Sequence, residues 1–167
     1  MNLWLDSGLI IFNLMKTKFA SFLLALLAFT FAGSALAVPP PGWTDDYTKA
    51  LEKAKADKKS VLLDFTGSDW CPYCIKMMKD VLTQPKFKEF AKDNLVLVEL
   101  DFPHSKPLSA RVKTQNKKLE KEFGVHGFPT FVLVDGDGKK LWEHVGYKEG
   151  GPQAFIDAIS SKTASKN

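Results

Sequence analysis

Cysteine and arginine are both scarce in this 167-residue chain, and each scarcity removes a class of function. The only two cysteines are Cys71 and Cys74. A closed zinc site takes about four ligands, and no second pair stands at ligand spacing, so a structural zinc module is excluded. No cysteine directly follows the N-terminal apolar run, which excludes a lipoprotein anchor. Arg111 is the sole arginine, and much of the formal net charge of +4 comes from lysines such as Lys53, Lys55, Lys117 and Lys121 at positions expected on solvated helix faces. A nucleic-acid surface needs arginines and aromatics interleaved in a patch, so no nucleic-acid partner is expected. Internal repeats and low-complexity tracts are also absent, which favours one ordinary globular unit.

What is present begins with a targeting-type N-terminus. Lys16 and Lys18 form a short basic region, Phe19 to Gly33 is apolar, and Ala35-Leu36-Ala37 is a small-x-small processing signal. Residues 1–37 are therefore expected to be a signal peptide cleaved after Ala37. The stretch Met1 to Leu14 places Asp6 and a second apolar run ahead of the basic region, so Met15 is the expected true start. An uncleaved anchor is the alternative, because Phe19 to Ala37 approaches the roughly 20 residues that span a bilayer. Residues 38–43, with Pro39, Pro40, Pro41 and Gly42, read as a stiff linker, 44–163 as one domain, and 164–167 as a tail. Export places the domain in a periplasmic or secreted, oxidising location, where disulfides persist.

Cys71 and Cys74 lie between an apolar strand-like run and a helix-like one. A cysteine at a helix N-terminus feels the positive end of the helix dipole and unpaired N–H groups, which favour thiolate, the nucleophile of disulfide exchange. With two residues between them in a helical turn, the second sulfur can resolve a mixed disulfide formed on the first. A structural bridge is the alternative, yet a disulfide closing so short a loop constrains the unfolded chain little. No cofactor is implied by this chemistry.

The pattern along the domain gives the order αβαβαββα. Thr44 reads as the N-cap of a first helix with Tyr47, Ala50, Leu51 and Ala54 on one face. Ser60 to Thr66 is a buried strand that contains one charge, Asp64. A helix after the cysteines carries Ile75, Met78, Val81 and Leu82, breaks at Gln84-Pro85, and resumes from Lys86 to Lys92. Leu95 to Leu100 is a strand, Ser109 to Phe123 a helix capped by Gly124, and Phe131 to Val134 with Lys140 to Val145 a hairpin around Asp135-Gly136-Asp137-Gly138. Gln153 to Ser160 is the last helix. The expected class is α/β, a three-layer sandwich with helices on both faces of a mixed central sheet.

At this level the chain resembles the thioredoxin family over nearly all of Thr44 to Ser160. The resemblance is carried by the strand ending near Asp64-Phe65, by Trp70-Cys71-Pro72-Tyr73-Cys74 opening a helix, by Gly127-Phe128-Pro129-Thr130 before a strand, and by the Asp-Gly hairpin. Gly67-Ser68-Asp69-Trp70-Cys71 is most similar to secreted bacterial members related to the C-terminal domain of the membrane electron transporter that reduces periplasmic disulfides. The Pro72-Tyr73 dipeptide is similar to that of glutaredoxins, but Phe128-Pro129-Thr130 and the extra N-terminal helix are not. The resemblance implies a thiol:disulfide oxidoreductase in the reductase or isomerase direction, with Cys71 attacking and Cys74 resolving. It also implies that Trp70 shields the site, that Pro129 is a cis-proline, and that Phe128 presents backbone groups to a substrate strand beside Pro72 and Tyr73. Partners would be protein thiols and disulfides plus a membrane-embedded or soluble thiol donor, with the protein a monomer.

Two positions depart from the family pattern. Asp64 stands one residue farther from Cys71 than the family's buried proton acceptor, and Glu99 occupies a place where many members carry a lysine. Asp64 either takes the proton of Cys74, which a desolvated carboxylate suits, or is an acid held by hydrogen bonds at a strand end. Glu99 either faces Asp64, sharing a proton with it, or faces solvent. His126 is a candidate neighbour of the thiolate or a surface residue, and His104 has no partner that the sequence identifies. The competing class is a metal-handling module in which the two thiolates hold copper(I); no other metal site is expected.

Overall fold

The computed structural model describes residues 36–163, so the expectations for the signal segment before residue 36 and for the 164–167 tail lie outside the described residues. Among the described residues five strands form one sheet in the order β1-β3-β2-β4-β5. These are β1 (Trp43–Thr44), β2 (Ser60–Thr66), β3 (Leu95–Asp101), β4 (Thr130–Val134) and β5 (Lys140–Val145). β1, β3 and β2 run parallel, whereas β4 is antiparallel to both β2 and β5. The helices are α1 (Tyr47–Asp57), α2 (Pro72–Met77), α3 (Pro85–Asn94), α4 (Ala110–Phe123) and α5 (Gly151–Ser160).

Alternation along the strands divides the core. Val61, Leu63 and Phe65 of β2 and Val96, Val98 and Leu100 of β3 pack with Ala50 and Ala54 of α1 and Leu119 of α4. Leu62 of β2 and Phe131 and Leu133 of β4 face the other way, onto Met77, Val81, Phe87, Phe155 and Ile159. Full burial of an apolar side chain of this size is worth about 1.5–3 kcal/mol. Such burial on both faces makes β2 a central strand and gives the three layers.

Two departures from expectation change the order of elements, where the other bounds shift by only a residue or two. Thr44 is not the N-cap of α1: it belongs to β1, paired with Val98, and its Oγ1 accepts from Asp46 N at 3.2 Å. Asp46 is the cap instead, its Oδ1 accepting from Lys49 N at 3.1 Å. Trp43, assigned to the linker, likewise opens β1 opposite Leu97. The apolar run after the cysteines is also not one α-helix, because Met78–Leu82 widens into a π-helical turn before Pro85 starts α3. Gly124 does end α4, with φ of 68°, where glycine carries no Cβ penalty.

Candidate active site

β2 ends at Thr66, and a tight turn returns the chain to the N-terminus of α2. Cys71 N donates to Gly67 O at 2.9 Å, and Cys71 is the N-cap, with extended backbone (φ −88°, ψ 110°). Its Sγ accepts from Cys74 N at 3.2 Å. Pro72 occupies the first turn, where its fixed φ suits a helix and its missing N–H costs nothing. Cys71 and Cys74 form a disulfide with Cα atoms 5.2 Å apart, and each is only 4 % exposed. Exposure therefore does not distinguish the two sulfurs. Their place on the helix does, since only Cys71 receives an N–H of the first turn.

Trp70 forms one wall. Its Nε1 donates to Phe102 O at 2.8 Å, its ring stacks on His104 at 4.6 Å with planes 6° apart, and its edge meets Phe128 at 5.9 Å. Gly67 makes this possible, because a Cβ there would lie 2.5 Å from Trp70 Cε2. The Asp69 carboxylate accepts from His104 N (3.0 Å), Ser105 N (2.8 Å) and Ser105 Oγ (2.5 Å), pinning the loop that carries His104. These bonds hold the Asp69 carboxyl well below its ordinary range. Sequence reading missed His104, and no local pattern marks a ring that finds its partner more than thirty residues away.

Phe128–Pro129 is a cis peptide; Pro129 is buried and its carbonyl accepts from Gly146 N at 2.8 Å. Phe128 joins the site through Trp70 and through Phe102, 5.0 Å away. Pro72 is exposed and Tyr73 is 63 % exposed, so both are available on the rim. His126 is exposed, and among the described residues no hydrogen bond joins it to the cysteine pair.

Beneath α2 lies a line of acids. Asp64 faces the same side of the sheet as Leu62, toward α2, and is register-paired with Glu99 of β3; Thr66 is paired with Asp101. Asp64 is 2 % exposed and its buried Oδ1 has no hydrogen-bond partner, so it is not an acid satisfied at a strand end. Burial first, then Glu99 and Asp101, raises its pKa well above the usual carboxylate range. Glu99 is 8 % exposed and does not face solvent. Burial and then Asp101 raise its pKa to about 7, with Lys106 opposing. Asp101, unremarked in the sequence, accepts from Ser68 N at 2.9 Å and Ser68 Oγ at 2.6 Å and so ties the active-site turn to β3. The period of two along β3 would have found it, two residues from Glu99 on the same face.

A cavity of about 660 Å³ opens behind the disulfide, lined among others by Cys74, Ile75, Met78, Glu99, Asp101 and Lys106. No group of three or more metal-ligating side chains is assembled among the described residues.

A family model described as a thioredoxin-like domain matches residues 47–160. The chain belongs to the thioredoxin-like family. The disulfide bond reductase DsbH of Chlamydia pneumoniae is 39 % identical to this thioredoxin-like chain over 117 residues, 70 % of each protein. A solved DsbH oxidoreductase superposes with a TM-score of 0.68 at 36 % identity, covering 78 % of this chain and 94 % of that one. The reduced C-terminal domain of Neisseria meningitidis DsbD superposes at 0.53 with 26 % identity, over 68 % and 91 % of the two chains. The thioredoxin-like chain is a thiol:disulfide oxidoreductase whose redox pair is Cys71 and Cys74.

Proposed function

We propose that the protein works as a disulfide reductase outside the cytoplasm, with Cys71 attacking, Cys74 resolving and Asp64 as the proton acceptor. The observation that carries the reading is the asymmetry of α2. Cys71 Sγ sits at the N-cap and receives the Cys74 N–H, while a buried, unpartnered Asp64 carboxyl lies on the sheet face below the helix. The N-cap position stabilises a Cys71 thiolate. That thiolate attacks one sulfur of a substrate disulfide; the S–S bond breaks, the departing thiolate takes a proton, and a mixed disulfide forms on Cys71. Cys74 then loses its proton to Asp64 and attacks Cys71 Sγ, releasing the second substrate thiolate and closing the Cys71–Cys74 bond. Two electrons have passed to the substrate.

Trp70, Pro72, Tyr73, Phe128 and Pro129 form the groove that receives an extended substrate segment. A thiol donor, membrane-embedded or soluble, restores the dithiol of the monomeric protein. The extracytoplasmic location rests on the basic-apolar-small pattern ending at Ala37. No helix among the described residues is long and apolar enough to cross a membrane. The reductase direction is supported by similarity to a protein named a disulfide bond reductase.

The test is a Cys74→Ala variant expressed in the compartment of origin. Dithiothreitol-sensitive adducts on Cys71 are expected, with insulin reduction by the variant abolished and that by the wild type robust. A variant that captures no adduct, or one that reduces insulin as fast as wild type, overturns the assignment of roles.

A further inference from the structure

Asp64 presents a problem for turnover. It is 2 % exposed, and it is not among the residues lining the cavity behind the disulfide, so a proton taken from Cys74 has no direct exit to water. The neighbouring strand supplies an acid at the boundary. Glu99 is the register partner of Asp64 across the parallel β2–β3 pair, and it shares the cavity wall with Cys74. Asp101 lines the same cavity, but its two carboxylate oxygens are engaged by Ser68 N and Ser68 Oγ. Glu99 is held by no hydrogen bond among the described residues, which leaves it free to accept and release a proton.

We propose that Glu99 is a proton relay, carrying the proton that Asp64 takes from Cys74 into the water-accessible cavity behind the disulfide. The relay rests on the role proposed above for Asp64. In the resolving step the Cys74 S–H bond breaks, the proton goes to the Asp64 carboxylate, and the sulfur lone pair forms the Cys71–Cys74 bond as the substrate sulfur leaves. The Asp64 proton then passes to the Glu99 carboxylate and from there to water, so both acids return ionised and no electron changes hands in the relay. The groups facing Glu99 define how it titrates. Asp101 on β3 and Asp45 before α1 favour its protonated form, Lys106 on the β3–α4 loop favours the anion, Asp64 is its register partner on β2, and Cys74 and Lys79 complete the charged or titratable lining. Its pKa near 7 suits both taking and releasing a proton at neutral pH.

The test is the lifetime of a mixed disulfide formed in a single turnover with a disulfide-containing peptide, trapped by acid quench from pH 5.5 to 8.5. Glu99→Gln is nearly isosteric and is expected to lengthen that lifetime by at least about tenfold, within the range of general acid–base effects. Alkylation of Cys71 by iodoacetamide should stay within about twofold of wild type, since the relay acts only after attack. Glu99→Asp should recover much of the rate. Lys106→Ala, an exposed change, should move the midpoint of the pH profile upward, because the cation that favours ionised Glu99 is gone. Asp64→Asn separates the two ideas. Slow resolution in Asp64→Asn with a wild-type lifetime and pH profile in Glu99→Gln overturns the relay and leaves the base intact. A wild-type lifetime in Asp64→Asn overturns both.

Discussion

Replacing Glu99 by glutamine should stabilise the protein, and only above about pH 5, the onset of titration for a carboxyl with an unfolded-state pKa near 4.5. Burial and Asp101 raise its folded-state pKa from the ordinary 4.5 to about 7. The native state therefore binds more protons than the unfolded state within this window, so stability falls as pH rises through it and stays reduced above. At 1.36 kcal/mol per pH unit, the rise corresponds to about 3 kcal/mol lost by the wild type at pH 8. The glutamine never ionises and does not incur that loss. At pH 4 the wild-type carboxyl is largely neutral in both states, and the two proteins should match. Asp64 adds to the effect in the same direction, because Glu99 is one of the charges that raise it. In urea, with a slope of about 2 kcal/mol/M, the midpoint of Glu99→Gln should lie about 1.5 M above wild type at pH 8 and coincide with it at pH 4. Parallel stability curves with a constant offset, or a less stable variant at pH 8, would refute the reasoning.

Gly67→Ala should displace the Trp70 ring, since the new Cβ would lie within 2.7 Å of three of its atoms. Overpacking of this kind costs about 1–3 kcal/mol, and loss of the Phe102 hydrogen bond and the His104 stack should appear as altered tryptophan emission with reduced kcat/KM on a peptide disulfide. Phe155→Ala removes a ring that is 0 % exposed and meets Phe87, Phe131 and Trp142. A loss of about 3–5 kcal/mol is expected by chemical denaturation, with activity per folded molecule unchanged.

Much of the fold was legible because its signals are local. Ser60 to Thr66 reads as a buried strand from its apolar run and is one, residue for residue. Gly124 reads as the end of α4 because few residues adopt a positive φ as readily. The start of α1 was misplaced by two residues. Thr44 and Asp46 are both good caps, and the choice between them was made by β1, whose pairing with β3 draws Thr44 into the sheet. The π-turn at Met78–Leu82 also escaped, since its apolar residues serve an α-helical face equally well.

The site divides along the same line. Cys71, Cys74 and the Pro72 that starts the helix follow from adjacency in the chain, and the motif with Phe128-Pro129 at a distance was enough to name the family. The electrostatics were not decided there. Whether Asp64 is hydrogen-bonded or orphaned, whether Glu99 points to water or to the cavity, and what His104 touches depend on strand register and loop closure between residues about 35 apart. A one-residue slip of β3 would turn Glu99 and Asp101 to the opposite face. The chain by itself determined the redox pair and the fold that displays it; only the tertiary structure placed the acids beneath the pair, because burial and charge proximity are properties of packing and not of adjacency.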